Sequence, residues 1–388
     1  MRASRCTGRL RWLSIGLLLV VWGCRESGPP APPEPAQGAW LFAKAHSIER
    51  LAADLAGLEG TPAARVMRRL AERAAGCTDL LGHAPKLDAL LADVRCVAPT
   101  DDVHALAAER AGADFYFALP LADTLRVTGT GRVSRETGRV LLDAIVEGAP
   151  EPGWLGLIVP GEDPAGAGVL SGEQSLLHVR LRPGAGLALP AALPGARGGA
   201  GDADRLSALA GRLAADAVLG GVWEAAVYTP RPGRLTPPVA LALDVTLAGI
   251  ARPAIVELIA QLEASWPIRH AEEKIGRHPG GCFAPIRILP EFAPCHALTE
   301  RALVIGWDRE SLMLALRPGA EPALAETGGA VVHLDRLPIA DQRLRERHAT
   351  GAADTVSAYP WSRLDVRTAH EAGALRVRIE LAPPVEAS

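Results

Sequence analysis

Side chains able to hold a metal or move a proton are densest between residues 270 and 296, where His270, Glu272, Glu273, His278, Cys282, Cys295 and His296 fall together. Two chemistries fit this set. His278-x3-Cys282 with Cys295-His296 has the Cys2His2 composition of a structural zinc site, because thiolate and imidazole are ligands that zinc prefers. Against this, adjacent residues of an extended segment point to opposite faces, so Cys295 and His296 could not both reach one ion. The alternative is a Cys282–Cys295 disulfide, which an oxidising compartment would keep. The location of the chain therefore decides the chemistry.

Other candidate chemistry is thinner. No Gly-x-Ser-x-Gly elbow is present, and Ser175, Ser311 and Ser357 lie near histidines without forming a motif. Gly129 and Gly131 sit inside an alternating strand pattern and precede no helix, so they read as a bend or bulge rather than a phosphate cradle. Gly195 to Gly201 does precede a helical pattern but lacks the Lys-Ser/Thr pair of a phosphate loop. No catalytic residue, metal site or cofactor is assigned.

Location is read from the N-terminus. Four arginines (Arg2, Arg5, Arg9, Arg11) precede an uncharged apolar run from Leu13 to Trp22. That is the secretory pattern, and the run has about half the roughly 20 residues that span a bilayer. It ends in Val21-Trp22-Gly23-Cys24, which resembles the lipobox of bacterial lipoproteins. The resemblance covers only residues 1–24. It implies cleavage before Cys24, lipidation of the Cys24 thiol, and attachment to the cell envelope. Arg25, where retention signals of that family carry Asp, points to the outer membrane, facing the periplasm. Two or three acyl chains hold a protein stably, since each buried CH2 contributes about 0.8 kcal/mol.

Export settles the cysteines. Of six, Cys6 leaves with the signal and Cys24 is the anchor, so Cys77, Cys96, Cys282 and Cys295 remain. Local pairing, Cys77–Cys96 and Cys282–Cys295, closes a short loop in each segment. The net charge of −3 becomes about −7 once the signal arginines are gone, and no basic patch with interleaved aromatics appears. Nucleic acid is not an expected partner.

The elements follow in chain order. Residues 1–23 form the signal, and 24–38 the lipidated cysteine with a proline-rich tether, GPPAPPEPAQG, extended at about 3.1 Å per residue. A strand is expected at Trp40–Ala43. A helix should begin at Thr61-Pro62 and end by Gly76, and a second is capped by Thr100 with Asp101 and Asp102 in its first turn. Leu125 to Val133 and Val140 to Val146 alternate as an antiparallel hairpin with one buried face. Leu177, Val179 and Leu181 alternate likewise, which puts His178 on the polar face. A helix from Arg205 to Leu219 and a boundary at Gly220-Gly221 divide an N-terminal domain, 39–220, from a C-terminal one, 221–388.

Beyond that boundary Val239, Leu241, Leu243, Val245 and Leu247 share one face. Arg252-Pro253 then opens a helix through Ile255, Leu258, Ile259, Leu262 and Trp266. Leu303 to Trp307 is a strand, Asp308 caps a short helix, and Leu364 to Leu381 forms a closing hairpin. The expected class is α+β, with long antiparallel hairpins packed against amphipathic helices, in two halves that the repeated strand-helix order relates. The function this supports is a membrane-anchored scaffold that binds an envelope protein. The alternative is a carrier whose half-barrel groove accepts a lipid or another hydrophobic ligand, and a periplasmic hydrolase ranks below both.

Overall fold

The structure is a computed structural model. It describes residues 38–58, 62–84, 87–97, 112–120, 125–134, 136–148, 169–181, 222–234, 236–245, 248–265, 268–285, 291–317, 329–348, 359–371 and 374–384. Cys24, the tether, the helices expected after Thr100 and Arg205, and Gly220-Gly221 lie outside those residues. The chain divides between residues 149 and 150 into two compact units, with 357–360 also falling to the first. The strands on either side of Gly220-Gly221 pair with one another.

The first unit is a sheet of β1 (Ala39–Lys44), β2 (Asp79–Ala84), β3 (Arg95–Val97), β4 (Phe115–Pro120), β5 (Arg126–Val133) and β6 (Val140–Glu147), in the order β6-β5-β4-β1-β2-β3. Helices α1 (Ala45–Asp54), α2 (Pro62–Ala74) and α3 (Leu87–Asp93) connect its strands. Pro62 opens α2, where its missing N–H costs nothing, and Gly76 follows its end at φ +77°, a conformation that favours glycine. The expected bulge at Gly129 and Gly131 is a regular ladder instead. The two glycines face Phe117 and Phe115 of β4, and a Cβ on either would come within 2.5 Å of a side-chain carbon. Gly129 makes room for the Phe117 ring, and Gly131 for Leu142 and the Phe115 ring.

The second unit holds β7 (Ser175–Leu181), β8 (Trp223–Tyr228), β9 (Val239–Asp244), β10 (His270–Ile275), β11 (His278–Phe283), β12 (Cys295–Leu298), β13 (Ala302–Gly306), β14 (Gly329–His333), β15 (Arg363–Glu371) and β16 (Ala374–Ala382). Their order is β10-β11-β12-β13-β9-β8-β7-β14-β15-β16, with antiparallel pairing throughout. Its helices are α4 (Ala248–Ser265), α5 (Arg309–Ala315) and α6 (Leu337–His348).

This overturns the α+β expectation. The described chain is largely antiparallel sheet, and every described helix except α4 has 13 residues or fewer. Nor do the two strand-helix repeats form one repeated unit. Helix α4 packs Ala251 and Ile255 on Leu243 and Leu303, whereas α5 packs Leu312 and Ala315 on Ala240 and Val304, the opposite face of the same two strands. Helix α4 also starts four residues before Arg252, leaving Pro253 inside it.

Asp308 caps α5 as expected. Its Oδ1 accepts from the Ser311 N–H and hydroxyl, both at 2.7 Å, and its other oxygen pairs with Arg234. Asp308→Ala is expected to cost about 1–2 kcal/mol of unfolding free energy by urea denaturation, the upper range for a lost N-cap. A loss no larger than that of an exposed control such as Glu300→Ala would show that the cap contributes nothing.

Candidate functional site

The disulfide reading of the cysteines holds. Cys77 is bonded to Cys96 with Cα atoms 5.6 Å apart, and Cys282 to Cys295 with Cα atoms 4.0 Å apart. Cys282 and Cys295 are direct cross-strand partners on β11 and β12. Among the described residues no group of three or more His, Cys, Asp or Glu side chains is placed to hold a metal ion. Of the cluster between 270 and 296, the fold brings His270 and His296 together, with ring centroids 5.2 Å apart. Glu273 pairs with Arg309 instead.

Strand register produces a larger feature that alternation alone does not reveal. Leu241, Ala225, Val179, Ala330, Val366 and Ile379 are successive cross-strand partners on β9, β8, β7, β14, β15 and β16. Val239, Val227, Leu177, Val332, Leu364 and Leu381 form a second such row. Each of these side chains is half-buried. Six strands at about 4.8 Å spacing make an apolar face about 24 Å across. Helix α4 covers one end of it, over Leu243 and Leu303.

The other face of these strands carries the polar residues, and over β7 and β8 it is sealed, while Arg367 on β15 and Arg378 on β16 are exposed. His178, expected on a solvated face, is 0% exposed, with Arg180 at 4%, Glu224 at 3% and Asp365 at 7%. Arg180 and Glu224 are cross-strand partners, with Nε 3.6 Å from Oε1. Oε2 of Glu224 accepts the backbone N–H groups of Val169 and Leu170, each at 2.9 Å, and stands 3.6 Å from His178 Nε2. A buried carboxylate survives only with such partners. Burial pushes the Glu224 carboxyl up, but His178, the Leu170 N–H and Arg180 together outweigh it and hold the group below its ordinary 4.5. Burial and the Glu224 charge raise Tyr228, whose hydroxyl donates to the Ser171 carbonyl.

A histidine thus meets a carboxylate, with a tyrosine hydroxyl nearby, and among the described residues the space beside them is small. The cavity beside Arg180 and Glu224 offers about 10 Å³, roughly what one buried water occupies. As placed, the cluster can fasten residues 169–170 to the sheet. Glu224 and Arg180 escape sequence reasoning because their pairing depends on register between strands far apart in the chain. The available signal is an opposite-charge pair within two apolar strands.

The chain matches no protein-family model, no curated protein and no solved structure, so its function rests on its own residues.

Proposed function

We propose that the protein is a lipid-anchored lipoprotein of the bacterial envelope, outer-membrane and periplasm-facing, that acts as a scaffold by binding a protein partner. The observation that carries this is the two-row aliphatic face of β9, β8, β7, β14, β15 and β16, half-open along all six strands, whereas the polar face behind β7 and β8 is closed. Contiguous apolar surface left accessible on a soluble domain marks an interaction site, because exposing it to water is costly. Among the described residues no helix is long and apolar enough to cross a membrane, and attachment in this reading comes from the acylated Cys24.

The carrier reading draws on the same face, since neither row contains a polar side chain. The two separate in one experiment. A photo-crosslinking residue is placed at Val179 or Val332 of the full-length protein in its native envelope, with Glu300, exposed on a bend, as control. A discrete protein adduct at both face positions and not at the control supports the scaffold. A lipid adduct transfers the proposal to the carrier, and no adduct at either position overturns both. In parallel, Cys24→Ser is expected to move the protein from the membrane fraction to the soluble one. Retention of that variant in the membrane would overturn the anchor.

A further inference from the structure

The β10 edge of the second unit carries an arrangement that the binding face does not use. His270 on β10 and His296 on β12 are separated by β11, and Gly281 lies between them. Without a side chain at Gly281 the imidazoles meet over the intervening strand, their planes 27° apart. A Cβ there would lie 2.3 Å from His270 Nε2, and that nitrogen is buried without a hydrogen-bond partner among the described residues. Phe283, the cross-strand partner of His270, packs its ring 5.0 Å from that of His270. The contact therefore joins β10 to β12 through stacked rings.

We propose that the His270–His296 stack is an acid-sensitive joint: protonation of His296 within it frees edge strand β10, while the Cys282–Cys295 bond keeps β11 on β12. A charge on His296 would stand half-buried against the His270 ring, 5.2 Å away between centroids, whose buried Nε2 has no hydrogen-bond partner among the described residues. Burial, then the neighbouring His270, lower His296 from 6.5 to about 4, and Glu272 opposes them. Among the described residues the charged groups around the stack are few. Glu272 lies on the same face of β10, opposite Gly281, and is exposed. Glu263 at the end of α4 accepts the His270 backbone N–H at 2.6 Å. Arg269 precedes the pair, and His278 begins β11. Beside His296, β13 places the uncharged Ile305.

A histidine whose folded value is depressed binds its proton more readily in the opened state, so acid favours opening as pH falls from 6.5 through about 4. Hydrogen exchange of the full-length protein, corrected for intrinsic rates, tests it. Between pH 7 and pH 4 exchange in 268–275 is expected to rise at least tenfold more than in β9 and β13. His296→Gln should remove most of that excess. Equal loosening of β10, β9 and β13 on acidification, or none, would overturn the proposal, and this comparison needs only the unsubstituted protein.

Discussion

Replacing Glu224 with alanine is expected to lower the unfolding free energy by about 3–5 kcal/mol, the cost of leaving buried partners of an ion pair uncompensated. The N–H groups of Val169 and Leu170 lose their acceptor, and Arg180, 4% exposed, loses a counter-charge. Urea denaturation with an unchanged slope would report the loss as stability alone. Glu224→Gln keeps an oxygen for the two N–H groups and should cost less. Glu224→Met with Arg180→Met should recover most of the loss, because replacing both charges removes the need to solvate either. A single-substitution loss below about 1 kcal/mol would show that the cluster is not sealed.

The same carboxylate fixes a pH dependence. Its folded value lies below 4.5, so the unfolded chain takes up the proton first, and the stability it supplies is complete above pH 4.5. That contribution disappears as pH falls through the folded value. The acid limb of the stability curve should therefore be shallower in Glu224→Gln than in the unsubstituted protein. An unchanged limb would remove Glu224 from the cause.

Elements with strong alternation are legible in the amino-acid sequence. The hairpins β5–β6 and β15–β16 carry a regular two-residue period, and the Asp308 cap announces α5 by residue type. What stays hidden explains why the fold is more β-rich than expected. Strands β10, β11 and β12 read HAEEKI, HPGGCF and CHAL, with Gly, Pro, Ala, Lys and Glu where strands usually carry β-branched residues. Pairing on both sides and a disulfide hold β11 in the sheet, and neither is local information. Side-chain direction is readable in β7, since His178 does oppose Leu177 and Val179, but which side is dry is not. That depends on the 169–171 segment and α5 lying over the polar side, contacts made far along the chain. Alternation separates two faces without saying which one is buried.

The two disulfides offer the second large effect, and they separate chain entropy from accessibility. Loops of 19 and 13 residues restrict the unfolded chain almost equally, so removing either bond is expected to cost about 3 kcal/mol. Alanine is the replacement to use, because serine at Cys295, 2% exposed among Ala297, Val304 and Ile275, would bury a hydroxyl as well. Kinetics should then distinguish them where energies do not. Cys96 is exposed and Cys77 half-buried, so a small thiol can attack that bond in the native state. In the other bond Cys282 is half-buried and Cys295 only 2% exposed, so its native reduction should be slower and should quicken with opening of β11 against β12. Under dithiothreitol at neutral pH, alkylation and peptide mapping should find Cys77 and Cys96 labelled at least tenfold sooner. Equal rates for the two bonds would mean that the β11–β12 pairing opens as readily as a surface loop. The disulfide would then be holding together a region that the sheet does not.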